Sequence, residues 1–517
     1  MQRILIYLFA SILLGWFVSC QPTSSSKEID LEEVTVKELQ AAYRDGDLTV
    51  VQVTQWYLDR IQEVDPEVNS IIQVNPQALE EARKLDEQLT AGEPMATLHG
   101  IPVILKDNVD AEGMTTTAGS RFLLHNDARP DAPLTRQLKA QGAIILAKAN
   151  LSEWANFRAS FSSSGWSGVG GQTNNPYDLS RNPCGSSAGT GAAISANLGV
   201  IGIGTETNGS IVCPSNNNGL VGLKPTVGLV SRTGVVPISF TQDTPGPMTR
   251  TVEDAALCLS ALTQIDSADA KTLQEDRKTE ANYASFLKTG QLRGKRLGWY
   301  TSSRGRHHGV DTLMAEVIRF FESEGVEIVE VDQILSGQTR RASYQLMLYE
   351  FKAGLAAYIA PDQNPDSVMQ ELIQFNEEDS IERQFFDQHE IRAAAGKGDL
   401  TDPAYLDALE TARQGSQEEG IDRVMEEYQL DAIIAPTGGP AWTTDLVNGD
   451  HFGMGSSSPA AISGYPNITV PMGMVHGLPV GLSIFGRKWS EGALLHLAYE
   501  FEQKTKHRQA PRLATSN

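Results

Sequence analysis

Two serines in glycine-rich turns and one lysine after an apolar run are the residues best suited to nucleophilic chemistry. Ser186 lies in Gly185-Ser-Ser187, and Ser210 ends Asn208-Gly-Ser210. A serine hydroxyl becomes a useful nucleophile only when a neighbouring group removes its proton. No histidine lies between the two turns, so the candidate base is Lys106, which follows the apolar run Ile101–Leu105. Burial disfavours the ammonium form and lowers a lysine pKa, which gives the neutral amine that a base must be.

The turn that ends at Ser210 also suits the stabilisation of negative charge. The run Val200–Gly204 predicts a buried strand, and the chain from Thr205 to Ser210 then turns sharply through glycine. Successive backbone N–H groups in such a turn form a concave site for an anion. An oxyanion hole requires the same arrangement of donors.

These residues lie in three motifs that resemble those of the amidase signature family in order and spacing. The motifs are Gly100-Ile-Pro-Val-Ile-Leu-Lys106-Asp107, Pro183-Cys-Gly-Ser-Ser-Ala-Gly189 and Gly204-Thr-Glu-Thr-Asn-Gly-Ser210. Ser186 and Ser210 are 24 positions apart (210 − 186), as in the family. The resemblance covers the chain from about Leu31 to its end. It implies one α/β domain over 31–517, with a large mixed central sheet covered by helices on both faces.

The resemblance also implies a role for each site residue. Ser210 is the nucleophile that forms an acyl-enzyme, Ser186, on a cis peptide bond, relays the proton, and Lys106 is the base. The backbone amides of Thr207, Asn208 and Gly209, with that of Ser210, form the oxyanion hole. The family needs no cofactor, and the nine histidines show no metal-binding spacing.

Two of these positions have ordinary structural alternatives, and two others depart from the family pattern. Ser186 is also suited to cap the small-residue helix that follows it, and Lys106 to an ion pair with Asp107 or another carboxylate. Asn208 and Ala188 stand where many family members have glycine. Asn tolerates left-handed backbone angles better than most residues, so the turn is expected to survive.

Within the family, the chain is most similar to the bacterial peptide amidases, which remove the C-terminal amide of peptides. The similar stretches include Ala435–Trp442, Val447–Asp450 and Gly464–Met472. The resemblance implies a small amide or a peptide amide as substrate. The alternatives are a general aliphatic or aryl amidase, the glutamine-hydrolysing subunit of a tRNA amidotransferase, and an inactive peptide-binding lipoprotein. Trp442, Phe452 and Tyr465 are equally suited to line the substrate pocket or the core.

Charge and cysteine content limit the partners and the covalent framework. The formal net charge of −22 argues against nucleic acid or an anionic membrane as the main partner. With Cys20 set aside, Cys184, Cys213 and Cys258 remain, and this odd number predicts no disulfide framework.

The first 30 residues have the pattern of an export signal. Arg3 precedes the uncharged apolar stretch Ile4–Val18, Cys20 follows, and 20–30 form a Ser-rich polar tether. This resembles a lipoprotein signal over 1–19, with Cys20 as the lipidated first residue of the mature chain. The protein is then exported and meets the membrane only through this anchor. A plain secretory signal and an uncleaved anchor are the alternatives.

Hydrophobic periodicity predicts strands alternating with helices and no internal repeat. Residues 31–89 are expected to be mainly helical, and a helix over Asp131–Gln141 to begin at Asp131 and stop at Gly142. Residues 335–425 are expected to form a helical, acidic cap over the site. The predicted strands are Ile101–Leu105, Ala143–Ala147, Val200–Gly204, Leu297–Tyr300, Val326–Val331, Ala432–Ala435, Ile468–Pro471 and Pro479–Phe485, and the predicted later helices are Thr312–Ser323 and Glu491–Thr505.

Overall fold

A mixed β-sheet of eleven strands runs through the described part of the chain. The strands of the fold are β1 (Ile71–Val74), β2 (Pro102–Lys106), β3 (Ile144–Ala149), β4 (Trp166–Ser167), β5 (Gly171–Gln172), β6 (Ile201–Glu206), β7 (Val221–Lys224), β8 (Thr244–Thr249), β9 (Arg296–Tyr300), β10 (Glu327–Val331), β11 (Ala432–Pro436), β12 (Asn467–Val475) and β13 (Leu478–Phe485). The large sheet has the order β1-β3-β2-β6-β8-β7-β12-β13-β11-β9-β10, and β4 pairs with β5 alone.

Helices flank both faces of this sheet. They are α1 (Val36–Asp45), α2 (Val50–Val68), α3 (Ala78–Thr90), α4 (Pro133–Ala140), α5 (Ala188–Ser195), α6 (Val212–Asn217), α7 (Val252–Leu262), α8 (His308–Ser323), α9 (Gly337–Ile359), α10 (Pro365–Glu378), α11 (His389–Ala395), α12 (Pro403–Ser416), α13 (Arg423–Glu427), α14 (Ser458–Ser463) and α15 (Glu491–Thr505). The predicted α/β class, with one large mixed sheet between helices, is confirmed.

The structure is a computed structural model that describes residues 30–125 and 128–513. The described residues from Glu32 onward belong to one compact unit. The predicted signal peptide, Cys20 and all of the tether but its last residue therefore lie outside the described residues. Within the described ranges, no helix is long and apolar enough to cross a membrane.

Three neighbouring strands carry the predicted active-site segments. Every residue of β2, β3 and β6 is buried, as expected of parallel strands covered on both faces. β2 pairs in parallel with β3 on one side and with β6 on the other. The three strands begin and end within two residues of their predicted positions, because an apolar run bounded by glycine or polar residues marks a buried strand.

The start of α4 differs from its predicted position. The helix begins at Pro133, after Ala132, and Asp131 does not cap it. The Asp131 carboxylate instead accepts from the Glu112 amide at 2.7 Å and from the Lys139 ammonium at 2.9 Å. Proline is pre-organised for the first turn of a helix, and it fixes the start here without a side-chain cap.

Residues 335–425 are helical, as predicted, but the structure does not show them as a cap over the site. Leu348 and Phe351 of α9, with Met369 of α10, share a buried cluster with Trp154 and Phe157. The walls of the catalytic cavity come from other segments, as described below. Helical periodicity reports the secondary structure of a segment but not the surface on which it packs.

Candidate active site

Lys106 and the turn of Ser210 meet at one edge of the sheet because β2 and β6 are parallel neighbours. Val103 and Leu105 of β2 pair with Ile201 and Ile203 of β6. Lys106 is the last residue of β2, and Ser210 follows the end of β6 by four residues (210 − 206). Carboxyl ends of neighbouring parallel strands lie at the same edge of a sheet, where α/β proteins commonly bind ligands.

The Lys106 ammonium nitrogen is fully buried among hydroxyl and carbonyl oxygens. Its Nζ lies 2.7 Å from Ser186 Oγ, 2.9 Å from Thr205 Oγ1 and 3.3 Å from the Thr205 carbonyl oxygen. Asp107 is not its partner, because that carboxylate pairs with Lys148 at 3.0 Å. The ion-paired alternative for Lys106 with Asp107 is therefore wrong.

Burial without an adjacent carboxylate lowers the pKa of Lys106. Desolvation brings this pKa down from 10.5 to about 7, and the more distant charges of Asp243 and Glu206 oppose the shift only in part. Near neutral pH, a substantial fraction of Lys106 is then the neutral amine.

The two adjacent serines face different partners. Ser186, after a cis Gly185–Ser186 peptide bond, places its hydroxyl against Lys106. The Ser187 hydroxyl instead donates to the Thr205 carbonyl and accepts from the Thr205 amide, both at 3.2 Å. α5 begins at Ala188, and no side-chain hydrogen bond caps it. The cap alternative for the serine pair is thus not what the structure shows.

Carboxylates hold the turn from Thr207 to Ser210 from behind. Glu206 Oε2 accepts from the amides of Ile211 at 2.8 Å and Val212 at 3.0 Å. Asp243 accepts from the Thr207 hydroxyl at 2.6 Å and so braces the start of the turn. Among the described residues, the amides of Thr207, Asn208, Gly209 and Ser210 have no protein acceptor. These four donors are therefore available to a ligand.

Asn208 keeps the turn without adopting a left-handed backbone. Positive φ occurs at Gly209, at 88°, and not at Asn208. The expectation that Asn208 adopts left-handed backbone angles is therefore wrong. The Asn208 side chain accepts from Ser457 Oγ at 2.8 Å and donates to Ser458 Oγ at 3.3 Å. It ties the turn to the start of α14.

A disulfide joins the two serine-bearing turns, which corrects the prediction that the cysteines form no disulfide framework. Cys184 and Cys213, 29 positions apart, are bonded, and Cys258 is free and buried. The Ser187 amide also donates to the Ser210 carbonyl at 3.2 Å. Two links, one covalent and one hydrogen-bonded, therefore hold the turns of Ser186 and Ser210 side by side.

A cavity of about 430 Å³ opens beside these turns. Its lining residues are Asn156, Ser160, Ser164, Cys184, Gly185, Asn208, Gly209, Val212, Cys213, Thr437, Trp442, Asp450, Phe452, Gly455, Ser457 and Ser458. Trp442 and Phe452 meet edge to face, with ring centroids 5.7 Å apart. Tyr465 is buried elsewhere and donates to Asp422 at 2.7 Å. Of the three candidate pocket aromatics, two line the cavity.

Three polar residues that contact the site were not singled out from the sequence. Thr205 holds the Lys106 nitrogen, Asn108 donates to Thr205 Oγ1 at 3.0 Å, and Asp450 lies in the cavity wall. Thr205 falls within the third motif, which was an available signal. Asp450 ends Val447–Asp450, a stretch already noted as similar to the peptide amidases, but that likeness does not show that its side chain lies in the cavity wall. In the described ranges, no group of three or more His, Cys, Asp or Glu side chains is placed to hold a metal ion.

Comparison with known proteins places this α/β fold and its serine-bearing turns in a class of amide-cleaving hydrolases. The Amidase family model matches residues 52–495, and the chain belongs to this family. A peptide amidase from Stenotrophomonas maltophilia of known structure superposes with a TM-score of 0.90 at 44% identity, covering 94% of this chain and 99% of that one.

Relatives of lower sequence identity have names that state other activities. A probable amidase of Arabidopsis thaliana is 36% identical over 506 residues, covering 94% of this chain and 93% of its own. The A subunit of the glutamyl-tRNA(Gln) amidotransferase of Thermoanaerobacter pseudethanolicus is 32% identical over 509 residues, covering 93% and 99%. The protein is thus an amide-hydrolysing enzyme of the amidase family.

Proposed function

We propose that this enzyme is a serine amidase that hydrolyses the C-terminal amide of peptides through an acyl-enzyme on Ser210. The observation that carries the chemical part is the contact of the buried Lys106 nitrogen with Ser186 Oγ at 2.7 Å. The substrate part is supported by the 44% identity and TM-score of 0.90 to a peptide amidase.

Lys106 acts as the base in its neutral form. A neutral amine has two hydrogens and one lone pair, and Nζ has three oxygen neighbours. The Thr205 carbonyl and Thr205 Oγ1 accept the two hydrogens, since Thr205 Oγ1 lies 2.9 Å away and the carbonyl oxygen 3.3 Å away. The lone pair is then left for the Ser186 hydroxyl proton.

The reaction proceeds by two nucleophilic attacks, each accompanied by proton transfer through the relay. Lys106 takes the proton of Ser186 while Ser186 takes that of Ser210, and Ser210 Oγ attacks the amide carbon. The Lys106 ammonium returns the proton to the leaving nitrogen, so ammonia departs and an ester remains on Ser210. Water, deprotonated by the same relay, then attacks that ester, and the relay returns the proton to the departing Ser210 oxygen as the free peptide acid is released.

The amides of Thr207, Asn208, Gly209 and Ser210 stabilise the negative charge that develops on the carbonyl oxygen. Their lack of a protein acceptor supports this role. Removing one such donor typically costs about 10²–10³ in rate, so the turn is central to catalysis.

We also propose that the enzyme is exported and anchored through a lipid on Cys20. The Cys184–Cys213 disulfide supports export, because disulfides persist in oxidising compartments and are rare in the cytosol. Labelling of cells with a radioactive fatty acid tests the anchor. The wild type should take up label, and Cys20→Ser should not; equal labelling of both would overturn the anchor.

Mass spectrometry of peptide amides after incubation with the enzyme tests the substrate. The expected product is the free acid, heavier by about 1 Da, with glutamine as the comparison amide. Turnover of glutamine without turnover of any peptide amide would refute the proposed substrate class. A fluorophosphonate probe that labels the wild type but not Ser210→Ala tests the nucleophile separately.

A further inference from the structure

The catalytic cavity contains one ionisable side chain in its wall. Of the described lining residues, Asp450 alone is ionisable, and the others are hydroxyl, amide, aromatic, apolar, glycine or disulfide residues. No lysine, arginine or histidine is among the residues that line it. The fixed charge that a bound acyl group meets is therefore negative.

Hydrogen bonds fix the orientation of the Asp450 carboxylate. Oδ1 accepts from the Ser164 amide at 2.9 Å, from Trp442 Nε1 at 3.1 Å and from Asn182 Nδ2 at 3.3 Å. Oδ2 accepts only from Ser164 Oγ, at 2.5 Å, among the described residues. A carboxylate oxygen has two lone pairs, so Oδ2 keeps one for a ligand.

Other charged groups near the cavity do not make the charge at its wall positive. His389 Nε2 lies 3.0 Å from Ser160 Oγ, and the Glu390 carboxylate accepts from the same hydroxyl, so the imidazole there is accompanied by a negative charge. His451 follows Asp450 in the chain, but it pairs with Asp445 at 3.2 Å. Burial raises the pKa of Asp450, and the donors from Ser164 and Trp442 oppose that rise.

We infer that Asp450 makes the cavity selective for acyl groups that carry an N–H or ammonium group, and that it rejects acyl groups that carry a carboxylate. The inference rests on the proposed function and narrows its substrate class. A peptide amide presents backbone N–H groups and an N-terminal ammonium on its acyl side. Free glutamine carries an α-ammonium and an α-carboxylate together on the acyl side of its amide, and the wall offers no cation to receive that carboxylate.

Asp450 also has a bracing role that the test must separate from selectivity. Its partner Asn182 accepts from the Cys184 amide at 2.8 Å, next to the turn of Ser186. Loss of bracing lowers turnover of every substrate equally. Loss of charge selectivity changes the ratio between substrates of different charge, and the ratio is therefore the readout.

The experiment measures kcat/KM for three matched amides with the wild type, Asp450→Asn and Asp332→Asn. The substrates are Gly-Leu amide, N-acetyl-Gly-Leu amide and N-succinyl-Gly-Leu amide, which are cationic, neutral and anionic on the acyl side. Asparagine keeps the size of the side chain and an acceptor for Trp442. Asp332 is exposed and lies outside the cavity wall, so its substitution controls for the loss of one negative charge.

The wild type should prefer the cationic amide and hydrolyse the anionic one least. Asp450→Asn should lower the cationic-to-anionic ratio by about tenfold or more, and Asp332→Asn should leave it within about twofold. An equal loss for all three amides in Asp450→Asn would overturn the inference, as would a wild type that prefers the succinyl amide. If Asp450→Asn does not fold, the order of kcat/KM for the three amides with the wild type still tests the inference.

Failure of the proposed function gives a different result. In that case the wild type releases no ammonia from any of the three amides, and the inference falls with it. Turnover of all three without a charge preference keeps the peptide-amidase function and removes only the role of Asp450.

Discussion

Two buried lysines lie at or next to the carboxyl ends of neighbouring strands of the same sheet, yet their surroundings differ. Lys106 of β2 pairs in register with Ala149, whereas Lys148 of β3 pairs with Leu105, so the two side chains point to opposite faces. Both are fully buried. Lys148 contacts the Asp107 carboxylate at 3.0 Å, and Lys106 contacts hydroxyl and carbonyl oxygens only.

The groups that contact each lysine decide its role, because both lysines are fully buried. A buried ammonium beside a carboxylate stays charged and holds structure, because removing either charge leaves the other uncompensated. A buried amine among neutral oxygens loses its proton near neutral pH, and a neutral amine is a base. On our proposal, Lys148 on one face of the sheet holds the structure and Lys106 on the other face serves catalysis.

The largest expected effect is loss of the nucleophile and relay. Ser210→Ala should lower kcat by a factor on the order of 10⁴ or more, and Ser186→Ala by about 10²–10⁴. Ser187→Ala should cost at most about tenfold, because its hydroxyl contacts the backbone of Thr205 and not Lys106. Ammonia release under saturating substrate measures all three. Similar losses in Ser186→Ala and Ser187→Ala would contradict the assignment of the relay.

Substitution of each lysine by methionine separates the two roles. Lys106→Met should lower kcat/KM by about 10²–10⁴ and leave the enzyme folded. Lys148→Met should destabilise the fold by about 3–5 kcal/mol, because the buried Asp107 carboxylate loses its partner, while the folded fraction keeps most of its rate. Chemical denaturation and initial rates on the same samples give both quantities. The reverse pattern would show that the roles are exchanged.

The stability of Lys106→Met should also depend on pH in a defined direction. The pKa of Lys106 falls from 10.5 to about 7 on folding, so between these values the unfolded wild type binds more protons than the folded one. Lowering the pH from 10.5 to 7 therefore destabilises the wild type through this group. The variant lacks the group, and its stability relative to the wild type should rise as the pH falls over that window. A constant difference would show that burial does not depress this pKa.

A smaller effect is expected for the link between the serine turns. The double substitution Cys184→Ser and Cys213→Ser should cost about 2–4 kcal/mol of stability, since the bond closes a loop of moderate length. The double variant should lose more activity than the control variant Cys258→Ser. Cys184 and Cys213 line the cavity, whereas Cys258 is not among its lining residues. Thermal melting and initial rates test this. Unchanged activity in the double variant would show that hydrogen bonds alone hold the turns together.

The sequence predicts this site well wherever the signal is local. The sequence predicts β2 because its apolar run ends at a lysine, and it predicts β6 because its apolar run ends at a glycine-rich turn. A few neighbouring residues in the sequence are enough to place each strand. The Cys184–Cys213 bond, the Lys148–Asp107 pair and the place of Asp450 depend on contacts between distant segments. The odd number of cysteines predicts no disulfide framework, yet the fold brings Cys184 and Cys213 together in a disulfide. Likewise, the sequence predicts the helices of 335–425, but the predicted cap over the site is not found, because α9 and α10 pack on Trp154 and Phe157 instead.

The rate at which a neutral fluorophosphonate probe labels Ser210, measured from pH 5 to 10, tests the role of Lys106 most directly. The probe does not titrate, so the profile reports groups of the free enzyme. The rate should rise with pH through an apparent pKa of about 7, the value that burial gives Lys106, and then level off. A rate that does not change with pH, or one that is still climbing at pH 10 as for an ordinary lysine, would contradict the account.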